Sequence, residues 1–151
     1  MPSLHETATL LAAVGSGLVA GLCFAFASFI MRAFDRLGAT RAILAMQAIN
    51  TRILESSAMT SWFGTGLLGV AATVLADDRA LVLASTALYA VGAFLITARG
   101  NVPLNEELDT VDPDGPDAEK AWRRYRERWG RWNALRTLAC TLASAGFALA
   151  S

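Results

Sequence analysis

The sequence predicts an all-α fold, a bundle of four transmembrane helices carrying amphipathic helical extensions on one side of the membrane. Three observations lead there. Hydrophobic residues make up 54% of the chain and charged residues 17%, whereas a soluble domain carries about a quarter charged. Formal charge is absent from Thr7 to Met31 and again from Ala80 to Ala98, and about 20 apolar residues suffice to cross a ~30 Å hydrocarbon core. Every basic residue except Arg79 falls in one of two polar connections, the first from Arg32 to Arg52 and the second from Arg99 to Arg136.

Taken in order, the first span covers about residues 7–31 and stops at Arg32. Its start lacks the basic region of a signal peptide, so the segment is expected to stay attached. Ala13, Gly17, Gly21 and Ala25 recur every fourth residue, which lets helix backbones approach closely in lipid. That stripe suits packing within the chain and a dimer face alike, so the oligomeric state stays open. Residues 40–57 read as a helix running into the second span, about 58–76, where Ile43, Gln47, Asn50 and Leu54 share a face. Asp77, Asp78 and Arg79 leave only a tight connection to the third span, 80–98, so these two spans are antiparallel neighbours. Next comes Asn101-Val-Pro-Leu-Asn105. Pro103 obstructs helical continuation, and the segment is expected to leave the membrane in a turn. An acidic loop from Glu106 to Glu119 precedes a helix that opens near Pro116 and Asp117 and leads into a fourth span, about 132–151. The whole of 1–151 makes one integral membrane domain.

Orientation follows from the basic residues, which favour the cytoplasmic side. Both polar connections are expected in the cytoplasm and both termini outside, in a multi-pass protein of the cell membrane whose first partners are membrane lipids. Thirteen basic and thirteen acidic residues cancel, which argues against a nucleic-acid partner. Cys23 and Cys140 lie in apolar runs without a CxxC, the single histidine is His5, and no metal-ligand or phosphate-loop motif occurs. Neither a metal nor another cofactor is therefore expected. No span carries a central carboxylate, Lys or His, which disfavours a proton-coupled exporter.

The most informative segment is the helix from Asp117 to Arg136. Trp122, Tyr125, Arg126, Trp129, Trp132, Asn133 and Arg136 fall on one side of it. One reading is an aromatic belt whose arginines meet lipid headgroups. The other is a stripe that turns into the bundle. Only Thr137 to Ser151 remains beyond Arg136, about 22 Å of helix at ~1.5 Å per residue, so Arg136 must sit at the membrane edge or inside it. There it either snorkels or faces inward with partners; an inward guanidinium is expected to bond the Gln47–Asn50 helix or the Asn101–Asn105 segment.

Phe24 to Met31, Met46-Gln-Ala-Ile-Asn50, Asn101-Val-Pro-Leu-Asn105 and Trp129-x-x-Trp132-Asn133-x-x-Arg136-Thr137 together resemble the anthrone oxygenase-like family of small four-helix membrane proteins, most of them uncharacterised in bacteria. The resemblance covers nearly the whole chain and implies oxidation of an anthrone to an anthraquinone by dioxygen, with no metal or flavin. It singles out Gln47, Asn50, Asn101, Asn105, Trp129, Trp132, Asn133 and Arg136. Such chemistry needs a slot for a flat ring and stabilisation of a ring oxyanion. Trp129 and Trp132 would line the slot, Arg136 would stabilise the charge, and Asn50, Asn101 or Asn133 would hold the carbonyl. Gln47, Asn105 and Tyr125 complete the candidate substrate-binding set, and Tyr125 and Glu55 are the candidate bases. The function so implied is a cofactor-independent monooxygenase acting on an apolar aromatic or quinone-like small molecule. The alternative is a non-enzymatic membrane module that binds lipid or a partner protein through its aromatic and basic face. The two differ in whether Asn50, Asn101 and Asn133 converge on a cavity or splay among headgroups.

Topology reporters test the orientation: fusions at either terminus are expected outside, and an insertion between Asp109 and Pro116 is expected inside.

Overall fold

The computed structural model describes residues 2–151 and is all-α, with no strand among those residues. Helix α1 runs from Leu4 to Leu37. It opens on a capping box in which the Ser3 hydroxyl accepts from the Glu6 amide at 3.1 Å while the Ser3 amide donates to the Glu6 carboxylate at 2.6 Å. It passes through a π-helical turn at Phe26–Ile30 and continues beyond Arg32, the expected stop. The chain reverses at Gly38, whose φ of 81° lies in the left-handed region that glycine adopts without steric penalty. Helix α2, Ala39–Ile53, follows. It does not run unbroken into the next span, because Ser56 interrupts and caps α3, Ser57–Leu75, by accepting from the Ala58 amide. Helix α4 spans Ala80–Asp109 and α5 spans Ala118–Leu149.

Within α4 the expected exit turn at Pro103 is replaced by continuous helix. Ala90–Asn101 is π-helical, and the Val102 amide reaches back to the Thr97 carbonyl. Pro103 then falls in the first turn of the renewed α-helix, where an amide hydrogen would lack its usual partner, so its ring is tolerated.

Helices α1, α3 and α4 are long and apolar enough to cross a membrane. Their outer faces carry large apolar side chains such as Leu18, 63% exposed, and Leu67, 73% exposed. The interior is built instead from small residues, as expected where lipid removes any hydrophobic drive between helices. On α1, Gly17 faces Ser144 of α5, whose hydroxyl donates to the Ala13 carbonyl at 2.9 Å. The Ala13–Gly17 half of the stripe thus packs within the chain, whereas Gly21 is exposed. Gly15 meets Thr65 of α3, and Gly146 of α5 meets Ser85 of α4. Helix α5 lies in the same bundle, with Asn133, Arg136, Cys140, Ala143 and Phe147 buried along one face.

The two ends of the bundle differ. At one end His5 lies against the Ala72 carbonyl, and Ala150 packs on the core that contains Ala76 and Val82. Both chain termini and the α3–α4 connection therefore meet there. At the other end α2, the C-terminal part of α4 and the N-terminal half of α5 form a second core around Ile43, Met46, Leu104, Leu108 and Trp122. Asp35, near the end of α1, joins this core to α5: it accepts from the Trp122 indole at 3.1 Å and pairs with Arg126 at 2.6 Å.

Close backbone approach can be tested by volume. A Cβ at Gly15 would come within 2.0 Å of the Thr65 hydroxyl, whereas one at Gly21 meets nothing within 4 Å. Gly15→Val is expected to cost about 1–3 kcal/mol through overpacking, and Gly21→Ala to stay within about 0.5 kcal/mol of the parent. Unfolding of the detergent-solubilised protein measures both.

Candidate active site

Where the two cores meet, all five helices line a cavity of about 360 Å³. The π-helical turns of α1 and α4 both reach its wall, through Phe26 and through Ala93, Phe94, Thr97, Ala98 and Asn101. This is a common setting for π-helical turns, which concentrate at functional sites. Most of the lining is apolar, including Leu22, Met46, Ile49, Met59 and Phe63. Its polar groups are few: Asn50, Thr97, Asn101, Asn105, Trp62, Trp129 and Arg136, besides the Cys23 thiol.

Arg136 organises them. It is 8% exposed and turned into the bundle. One guanidinium nitrogen donates to Asn133 Oδ1 at 2.8 Å and another to the Thr97 hydroxyl at 3.2 Å. The Asn133 amide in turn donates to the Cys23 carbonyl at 2.8 Å. A single relay therefore ties α5 to α4 and α1. The guanidinium carbon also stands 5.4 Å from the Trp62 ring centroid and 5.6 Å from that of Trp129, where the faces of both rings attract a cation. Among the described residues no carboxylate lies within ion-pair reach of Arg136. The inward orientation matches expectation, but the partners do not. Asn133 and Thr97 take the places expected for the Gln47–Asn50 helix and the Asn101–Asn105 segment, because α4 packs along α5 with Thr97 at the contact.

Of the residues singled out in the sequence, the structure brings Asn50, Asn101, Asn105, Trp129 and Arg136 to the cavity wall. Asn133 stands behind the wall and supports Arg136. Gln47 caps the end of α4, donating to the Leu108 and Val111 carbonyls at 3.0 and 3.1 Å. Tyr125 donates to Asn105 Oδ1 at 3.0 Å. Trp132, 37% exposed, lies on the backbone of Gly100, where a Cβ would strike its ring. Trp122, Tyr125 and Trp129 are buried and stacked in sequence, so most of the aromatic stripe faces inward and only Trp132 reaches the outside. Glu55 pairs with Arg52 on the surface, away from the cavity. Trp62 and Thr97 were not anticipated. Trp62 is the remaining tryptophan and sits near the start of its span, a signal that could have placed it at the depth of Arg136.

Among the described residues three buried side-chain polar atoms lack a hydrogen-bond partner: Asn101 Oδ1, Trp129 Nε1 and Arg136 Nε. All three belong to residues of this one wall. Leaving such a group unsatisfied costs about 1–3 kcal/mol, and the three atoms are two N–H donors and one acceptor. Burial, helped by the charge of Asp109, pushes the Tyr125 phenol well above its ordinary value near 10, which leaves it a neutral hydrogen-bond donor and no base.

A family model described as anthrone oxygenase matches residues 5–146. The chain belongs to that family. No curated protein and no solved structure matches it. For this family member, the segments around Asn101 and Trp129 are thus the ones that contribute the unpartnered atoms.

Arg136→Lys retains the charge but loses the planar fork that serves Asn133 and Thr97 together. It is expected to cost about 1.5–3 kcal/mol of stability, while Arg124→Lys, at an exposed ion pair with Glu107, stays within about 0.5 kcal/mol. Thermal unfolding in detergent separates the two. The phenol of Tyr125 is held protonated in the folded state, so its contribution is complete below the unfolded value near 10. Denaturation midpoints should fall as pH rises above 10, and Tyr125→Phe should fall less steeply.

Proposed function

We propose that this protein is a membrane-embedded oxygenase that converts an anthrone-like ring CH₂ to a carbonyl with dioxygen. The observation that carries the proposal is the uncompensated Arg136 guanidinium at the wall of an apolar cavity, beside the unpartnered Trp129 N–H and Asn101 oxygen. A cavity of about 360 Å³ falls within the usual range for small-molecule pockets.

The ligand's ring oxygen accepts from Arg136 Nε and Trp129 Nε1, and a neighbouring hydroxyl on the ligand donates to Asn101 Oδ1. A cation without a counter-ion, in surroundings of low dielectric, strongly favours an oxyanion. It lowers the acidity barrier of the ring CH₂ enough that the proton passes to water without a resident base. The resulting anion transfers one electron to dioxygen. The ring radical and superoxide combine at the same carbon as a peroxide anion, which takes back a proton from water to become the hydroperoxide. Loss of the second C–H proton with departure of hydroxide leaves the new carbonyl, so CH₂ and O₂ become C=O and H₂O. The protein's part is to hold the ring, favour its anion and exclude bulk water.

In this reading 1–151 is a single membrane domain with four spans. The segment of α5 beyond Trp132 serves as the fourth, because Asn133 and Arg136 turn their polar groups into the bundle rather than toward lipid. The shared location of the two termini and the α3–α4 connection supports an even number of crossings. The basic end then faces the cytoplasm.

Purified protein incubated under oxygen with an anthrone bearing hydroxyls beside its carbonyl should form the corresponding hydroxyanthraquinone, one dioxygen consumed per anthrone, well above protein-free autoxidation. Arg136→Lys and Asn101→Leu should each lower kcat/KM by about 10²-fold. A wild-type rate equal to autoxidation rules the oxygenase out.

A further inference from the structure

We infer that the ligand enters the cavity sideways from the lipid, through a slot between α3 and α4 closed by the Phe63–Phe94 pair; the inference rests on the cavity being the binding site proposed above. Helix α3 lies against Ala80–Tyr89 and parts from the π-helical Ala90–Asn101 stretch. Trp62 bridges the gap at one level, its indole donating to the Ala93 carbonyl at 2.9 Å. Beside it the Phe63 and Phe94 rings meet at 5.5 Å between centroids. Both rings line the cavity, yet Phe63 is 60% exposed on the outer face. Leu54, at the corner between α2 and α3, also lines the cavity and is 69% exposed. The lips of the opening are therefore apolar side chains that touch cavity and exterior at once, and Phe63 and Phe94 lie on helices apolar enough to cross a membrane.

The polar end is closed by contrast. Helix α2 covers it, with Ile43 and Met46 buried in the second core. Hydrogen bonds then fasten the cover: Gln47 to the Leu108 and Val111 carbonyls and Asn50 to Asp109. Opening that route breaks a buried core and several hydrogen bonds, whereas rotating a half-exposed phenylalanine breaks one ring contact. A flat apolar ligand concentrates in the bilayer, at the level of the slot. The ligand class that follows is one dissolved in the membrane, and a water-soluble conjugate of the same ring is excluded.

A gate changes how fast a ligand arrives and leaves without changing how tightly it is held. The test uses the full chain in lipid vesicles, with binding of anthraquinone followed by stopped-flow quenching of Trp62 and Trp129 fluorescence. Phe63→Ala should speed both association and dissociation, and Leu54→Trp should slow both, each by about tenfold with Kd held within about twofold. Asp109→Ala, which loosens the polar cover, should leave both rates unchanged. If Asp109→Ala speeds both rates while the Phe63 and Leu54 variants do not, entry is from the polar side; the slot falls and the binding site stands. If Phe63→Ala changes only dissociation, Phe63 is a ligand contact and the gate is overturned. If anthraquinone does not quench the wild-type protein, the binding site fails and the slot with it.

Discussion

A guanidinium held inside an apolar bundle without a carboxylate is the constraint on which the remaining structure turns. A buried charge of this kind survives only if hydrogen bonds and ring faces replace water around it. Here Asn133, Thr97, Trp62 and Trp129 do so, and they come from α5, α4 and α3. Asn133 cannot support Arg136 unless its own amide is anchored, and the anchor is the Cys23 carbonyl on α1. Solvating one side chain thus fixes the relative depth of four helices. The small residues lower in the bundle allow them to come that close.

The same constraint explains why chemically similar residues divide into two roles. Asn133 spends both ends of its amide, donating to the Cys23 carbonyl and accepting from Arg136. Asn101 donates to the Trp129 carbonyl at 3.3 Å but keeps its oxygen unpartnered. An amide with both ends engaged is a brace, and one with a free end is available to a ligand. The distinction depends on where neighbouring backbone carbonyls lie, which no local pattern of residues encodes.

That is why some of the protein was legible in its sequence and some was not. The helices α1, α3 and α4 follow from composition alone, because a membrane interior demands long uncharged runs. The inward turn of Arg136 was one of two readings open in the sequence, favoured by its place on the stripe with Trp129 and Asn133, and the buried guanidinium agrees with it. The membership suggested by the Asn101 and Trp129 segments likewise agrees with the family match. The continuation of α4 through Pro103 was not legible, because a proline ordinarily marks a boundary and the widened register that accommodates it arises from packing. Thr97 escaped notice because it is ordinary in its own span and becomes a partner of Arg136 only where α4 packs on α5. The prolongation of α1 to Leu37 depends on Asp35 meeting Trp122 and Arg126, a contact across most of the chain.

The widened stretch of α4 has a consequence for how such a protein can change. An ordinary helix turns by about 100° per residue, so adding or removing one residue swings everything downstream to another face. In Ala90–Asn101 the backbone already holds the wider register, and it separates the part of α4 that packs on α3 from the part that carries Asn101 and Asn105. Loss of a residue there is absorbed by a return to the tighter helix, which leaves the packed half in place and keeps the two asparagines near their present face. The stretch therefore acts as a length buffer, through which α4 tolerates a change in chain length that would turn Asn101 and Asn105 away from the cavity in an ordinary helix.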